Sequence, residues 1–284
     1  LGALEVAVGR LRRRRPRPDP VIHAVRRAVA GWAGVRGGPH DLLVGRNTVG
    51  SMTPFFFVTP GLAGSEDLVS AFHPERPVWV MRTLSGLRAR FGRRLKTEAN
   101  NRRLAQAYAE GIVAVHPSGP VLLGGFCQGA DVARRVAEAL RGGGREVALL
   151  AVIDRLFTEP VVGRAAVVWT AGSRHSGNTQ FRDPERHLEL LYPAGCSVLH
   201  VDADHPQALL GGPARRIADY LEEESARALT RPAQIPRLEP PEGLGRRRRA
   251  HSARIRLRSP RFVAPGAHPA VRARVTNTSI DEGA

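Results

Sequence analysis

Short apolar runs recur through the middle of the chain, and the stretches between them carry helical rather than alternating spacing. Phe55-Phe56-Phe57-Val58, Val78-Trp79-Val80-Met81, Val121 to Gly124, Val147 to Ile153, Ala165 to Thr170 and Ser197 to Val201 read as strands, with Leu42-Leu43-Val44 as an opening strand. Leu104 to Val115, Ala130 to Leu140 and Pro213 to Glu223 read as helices. Strands that are apolar along their whole length are buried on both faces, and helices alternating with them supply the cover. Residues 41–230 are therefore expected to form an α/β domain around a mostly parallel sheet with helices on both faces.

The flanks differ. Residues 1–40 are expected to be a basic N-terminal extension: Pro16, Pro18 and Pro20 precede Ile22, Val25, Val29 and Trp32, whose spacing predicts a short amphipathic helix packed on the neighbouring domain. Residues 231–250 read as a linker rich in Pro and Arg, through Pro232, Pro236, Pro240 and Pro241. In residues 251–284, Ile255 and Leu257 alternate with Arg254, Arg256 and Arg258. Val271, Ala273 and Val275 alternate likewise with Arg272, Arg274 and Thr276, and Pro265-Gly266 lies between the two runs. This pattern predicts two half-buried strands joined by a turn. Pro260 to Ser279 resembles the start of an immunoglobulin-like β-sandwich, truncated here because a whole sandwich needs about 100 residues.

Composition narrows the classes of function. A chain of 284 residues with 42% hydrophobic content can bury a core of this size, and no apolar run approaches a membrane span. Leu1-Gly2-Ala3-Leu4 has neither an initiator Met nor a signal-peptide pattern, so the expectation is a cytoplasmic chain cut from something longer. Cys127 and Cys196 alone make no disulfide framework and, without clustered histidines, no zinc site; no metal is expected. The net charge of +17 and the runs Arg12 to Arg15 and Arg246 to Arg249 point towards nucleic acid. Against that, Lys96 is the one lysine, which marks a compositional bias towards Arg, and the 5% of aromatics do not interleave with the basic residues as a stacking platform requires. Solvated linkers, or steering of an acidic phosphate-bearing partner, fit better.

The chemistry centres on Gly125-Phe126-Cys127-Gln128-Gly129, which follows an apolar strand and opens a helix. A Gly-x-nucleophile-x-Gly sequence in that setting is a nucleophile elbow: the small residues allow a sharp turn that presents the central side chain, here Cys127, to the next helix's N-terminus. A thiol nucleophile needs a base, an orienting acid and an oxyanion hole. Asp154 ends the strand Ala148 to Ile153, where ligand-facing side chains of a parallel sheet emerge, and His205 follows the strand Ser197 to Val201. The order nucleophile, acid, histidine is the one this build uses. Oxyanion donors are expected from the N–H of Gln128 and from Gly61 or Leu62 after the first core strand, since Pro60 has no N–H.

Residues 41 to 225 resemble a type I thioesterase domain of nonribosomal peptide and polyketide synthases, an α/β hydrolase. The resemblance rests on Pro54-Phe55-Phe56-Phe57-Val58, Arg76-Pro77-Val78-Trp79, the run from Val113 through Gly125, and Glu146-Val147-Ala148-Leu149-Leu150. It implies Cys127, Asp154 and His205 in the triad positions, no bound cofactor, and a substrate presented on the phosphopantetheine arm of an acyl or peptidyl carrier protein, in cis or in trans. The family usually has serine where Cys127 stands and Gly-Asp-His where this chain has Ala203-Asp204-His205. It also inserts a helical lid after the acid, whereas Arg155 to Gly163 alone separate Asp154 from the next strand here. The rivals to the triad are weaker by position. His200 lies on the adjacent strand, Asp202 and Asp204 in the loop before the histidine, His116 in a loop, and Cys196 has the setting of a structural thiol.

A cysteine nucleophile would give an acyl-enzyme that is itself a thioester and stays activated, which tilts the outcome from hydrolysis towards transfer or cyclisation. The alternative is a non-catalytic module that docks a carrier domain through a hydrolase fold.

Overall fold

In a computed structural model, residues 19–61, 64–88, 95–173, 184–230, 253–257 and 273–277 are described. They fall into two compact units, residues 1–236 and 237–284. The Arg runs, Leu62, and the expected turn at Pro265-Gly266 lie outside the described residues.

The first unit is built on one eight-stranded sheet. In chain order its elements are α1 (Pro20–Val29), β1 (Val35–Gly37), β2 (Leu43–Asn47), β3 (Phe55–Thr59), α2 (Glu66–Ala71), β4 (Val78–Arg82), α3 (Glu98–Val115), β5 (Val121–Phe126), α4 (Gln128–Gly142), β6 (Val147–Ile153), β7 (Ala165–Thr170), α5 (Pro184–Leu191), β8 (Cys196–Val201) and α6 (Gly211–Thr230). A 3-10 turn, His205–Gln207, precedes α6. The strand order is β1-β2-β4-β3-β5-β6-β7-β8. β1 and β2 run antiparallel to their neighbours, and β4 through β8 pair in parallel.

Alternation along the strands divides the core. Phe56, Val58, Leu123, Leu150 and Val152 face a layer formed by α1, α3 and α4, through Val25, Leu104, Tyr108, Ile112, Val132, Val136 and Leu140. Phe55, Phe57, Leu122, Leu149 and Ile153 face α2 and α6, through Leu68, Phe72, Ile217 and Leu221. A strand buried on both sides has no polar position to spend, so β3, β6 and β7 carry buried residues throughout. Burial of each large side chain is worth about 1.5–3 kcal/mol, which makes the centre of the sheet the rigid part of the molecule.

The N-terminal stretch contributes to this unit. Asp19 caps α1 by accepting from the N–H groups of Val21 and Ile22, and Val21, Val25 and Val29 are buried in the layer shared with α3. β1 pairs with β2 at the sheet edge. The buried Arg76 forms an ion pair with Glu222 at 2.6 Å, tying the approach to β4 to α6. No described helix is long and apolar enough to cross a membrane.

In the second unit, β9 (Ala253–Leu257) and β10 (Ala273–Asn277) form an antiparallel pair with Ile255 opposite Val275. The alternating segments are thus strands that pair with each other, and Val271 lies outside the described residues.

Candidate active site

The turn from β5 into α4 depends on two glycines at close approaches. A Cβ on Gly125 would stand 2.4 Å from the Gly129 carbonyl carbon, and one on Gly129 would stand 2.1 Å from the Val58 carbonyl oxygen. No side chain fits at either point, so α4 starts hard against the end of β3. Between them Cys127 adopts φ 52° and ψ −119° as the N-cap of α4, a conformation that costs a non-glycine residue about 1–3 kcal/mol. Its N–H donates to the Ile153 carbonyl at 2.8 Å, which locks the elbow to the end of β6.

Asp154, the residue after that strand, also has a left-handed backbone, with φ 51°, and its N–H donates to the Val168 carbonyl at 2.9 Å. Its buried carboxylate accepts three hydrogen bonds: from the Thr170 N–H at 2.8 Å, from Thr170 Oγ1 at 2.6 Å, and from His205 Nδ1 at 2.8 Å. The side chain of Asp154 is 0% exposed and that of His205 38% exposed, so a dry carboxylate holds an imidazole open to solvent. A hydrogen bond from Nδ1–H leaves Nε2 as the ring nitrogen available to take a proton. The imidazole also stacks on Phe126, the residue before Cys127, with centroids 4.6 Å apart and planes tilted 25°. Acid, histidine and elbow are therefore gathered at one end of the sheet, beyond the C-terminal ends of β5 and β6.

Among the sequence-expected oxyanion donors, Gln128 is the first residue of α4, where the N–H has no intrahelical partner. Its side-chain Oε1 accepts from Lys96 Nζ at 2.7 Å. Gly61 lies in the loop after β3, its carbonyl held by Thr59 Oγ1 at 2.9 Å, and Leu62 lies outside the described residues.

The rivals sit elsewhere. His200 is exposed on β8, edge-on to Trp169 with centroids 5.8 Å apart. His116 bonds the Pro120 carbonyl at 3.0 Å, where the chain enters β5, at the far end of that strand from Cys127. Asp204 packs against Gly172, and Asp202 is exposed. Cys196 is half-buried against the core, and desolvation pushes its thiol up to about 11, which keeps it protonated.

Three features of the site carry no signal in local sequence. Thr170 reaches Asp154 because β7 is the parallel neighbour of β6, a fact of strand order. Phe126 meets His205 through the same topology. Arg155 grips Asp131, in the first turn of α4, with Nε and Nη2 both at 3.0 Å. The connection from Asp154 to β7 holds no helix; Phe157 and Val161 are buried along it, and the Val161 N–H donates to the Leu191 carbonyl at 2.7 Å.

Residues 57–167 match the family model of the thioesterase domain. The chain is 29% identical over 158 residues to an inactive atromentin synthetase of Paxillus involutus, covering 54% of this chain and 16% of that protein. It is 34% identical over 106 residues to a microperfuranone synthase of Emericella nidulans, covering 36% of this chain and 11% of that one. It thus spans under a fifth of the length of these relatives. Among solved structures, the NocB thioesterase domain in covalent complex with a fluorophosphonate nocardicin G analogue superposes with a TM-score of 0.51 at 18% identity, covering 64% of this chain and 99% of that one. A four-domain nonribosomal peptide synthetase bound to AMP and glycine gives 0.53 at 11% identity, covering 64% of this chain and 20% of that one. Residues 57–167 thus carry the thioesterase-domain match, and the chain has the α/β-hydrolase-like fold of thioesterase domains.

Proposed function

We propose that the protein is a thioesterase of the α/β-hydrolase type that takes acyl or peptidyl groups from the phosphopantetheine arm of a carrier protein onto Cys127. The observation that carries this reading is the Asp154–His205 hydrogen bond at 2.8 Å beside an elbow whose central residue holds φ 52°. A backbone bent at such cost at one cysteine, with an oriented imidazole stacked on the residue before it, fits a nucleophile and its base. The family match at residues 57–167 supports the substrate class, and the synthase and synthetase relatives support the carrier partner.

In this mechanism His205 Nε2 takes the thiol proton, and Cys127 Sγ attacks the thioester carbonyl. The carbonyl oxygen becomes an oxyanion held by the N–H groups of Gln128 and of Gly61 or Leu62. The carrier C–S bond then breaks, and the departing thiolate takes the proton from the imidazolium. Asp154 keeps the ring in the tautomer this requires, and the two hydrogen bonds it accepts from Thr170 fix the carboxylate in position. The product of this half-reaction is an acyl-Cys127 thioester. Water, or an amine or hydroxyl, attacks it with His205 again as base. With a thioester on the enzyme, transfer or cyclisation competes well with hydrolysis. The short, helix-free connection after Asp154 stands where a lid would, leaving the site open to bulky or tethered groups. Two free cysteines suit a reducing cytoplasm.

Incubation of an acyl-carrier thioester with the protein, with and without a primary amine, tests the reading. Carrier discharge that stops in Cys127→Ala, with amide formed when amine is present, is expected. Free acid alone under both conditions would refute transfer, and equal discharge by Cys127→Ala would refute the nucleophile.

A further inference from the structure

Arg82 is the last residue of β4, opposite Thr59 in register, and Val58 on the next strand pairs with Gly125 before the elbow. Two strand spacings, about 10 Å, separate β4 from β5. The Arg82 main chain is pinned by Tyr108, whose hydroxyl accepts from its N–H at 2.9 Å and donates to its carbonyl at 2.6 Å. Burial lifts that phenol well above its usual range, so it keeps the proton it donates.

The side chain is anchored but electrically unmatched. Cζ lies 5.9 Å from the Trp32 ring centroid, and Nη1 stands 3.9 Å from where a Cβ on Gly61 would be, beside the loop after β3. Nε is buried with no hydrogen-bond partner among the described residues. Arg76, Arg134, Arg135 and Arg155 each pair with a carboxylate, whereas Arg82 makes no ion pair among the described residues. Leaving part of a guanidinium dry and unpaired is costly, and stacking on an indole orients the group without neutralising it. Such a fork, flat and without an ion pair among the described residues, matches a planar carboxylate in two-point contact.

We infer that Arg82 receives a carboxylate on the acyl group of the substrate, so that the site prefers dicarboxylic or carboxylate-bearing acyl thioesters. This rests on the thioester reading above. A phosphate offers similar chemistry, but the carrier arm holds its phosphate at the far end of a long chain from the thioester, whereas Arg82 adjoins Gly61, one of the candidate oxyanion donors.

The test uses the full chain and phosphate-free N-acetylcysteamine thioesters: succinyl, glutaryl and adipoyl, each beside the neutral amide of its terminal carboxyl. At least one acid should exceed its amide in kcat/KM by about 10- to 100-fold, the range of a charge-assisted hydrogen bond. Arg82→Gln should bring that ratio close to one, and Arg82→Lys should restore part of it. Ratios near one in the unsubstituted protein, or unchanged by Arg82→Gln, overturn the inference. So does an Arg82→Gln defect that appears only when a phosphopantetheine thioester is compared with its pantetheine counterpart, because the receptor would then serve the arm. If no thioester turns over, the proposed function fails, and Arg82 is read separately. Nuclear magnetic resonance titration with succinate, glutarate and adipate should show binding lost in Arg82→Gln, and no difference there overturns the receptor.

Discussion

At the residue scale the site is a hierarchy of hydrogen bonds to one carboxylate. Asp154 is fully dry, so each donor to it counts; a hydrogen bond to a charged group is worth about 1.5–3 kcal/mol. Thr170→Val removes the hydroxyl donor and keeps the backbone one. A fall in melting temperature of about 5 °C, with carrier discharge slowed about tenfold, is expected, and unchanged kinetics would mean that the hydroxyl does not orient the acid. The two cysteines should separate by reactivity. Cys196 keeps its proton until about pH 11, since burial disfavours its thiolate, so iodoacetamide at pH 8 followed by peptide mapping should find the label on Cys127. Labelling of Cys196 should appear only as the pH approaches that value.

At the element scale, the contact between α4 and β3 fixes the backbone that presents Cys127. Gly129→Ala puts a methyl 2.1 Å from the Val58 carbonyl oxygen and forces the helix off the sheet, whereas a Cβ on Gly142 of the same helix meets nothing within 4 Å. We expect about 1–3 kcal/mol of destabilisation and loss of acyl transfer from the first change, and near-neutral behaviour from Gly142→Ala, both read by denaturant unfolding. The elements legible in the sequence are those whose own residues decide them. β3, β4, β6 and β7 are unbroken apolar runs, and their observed limits lie within a residue of the apolar pattern. α6 runs on to Thr230 past the apolar pattern because Ser225 and Ala228 are buried by packing that sequence spacing does not reveal. The short α2 and β1 are not legible in the sequence, because six and three residues carry too little periodicity to register.

At the scale of the whole molecule, strand order creates the site. The gathering of Cys127, Asp154 and His205 at one end of the sheet was legible because an elbow and strand-end residues of a parallel sheet announce themselves in chain order. Their partners were not, because Thr170, Phe126 and Arg82 acquire meaning only when β7 lies beside β6 and β4 two strands from β5. The same order stacks Phe126 on the imidazole and presents Arg82 beside Gly61. Intact-protein mass spectrometry after brief exposure to an acyl N-acetylcysteamine thioester tests the central claim most directly. We expect a mass gain of one acyl group, mapped to Cys127, absent in Cys127→Ala and longer-lived in Asp154→Asn, where the base that drives deacylation has lost its orienting acid. An adduct that persists in Cys127→Ala, or no adduct with any acyl thioester that the protein consumes, would contradict the account.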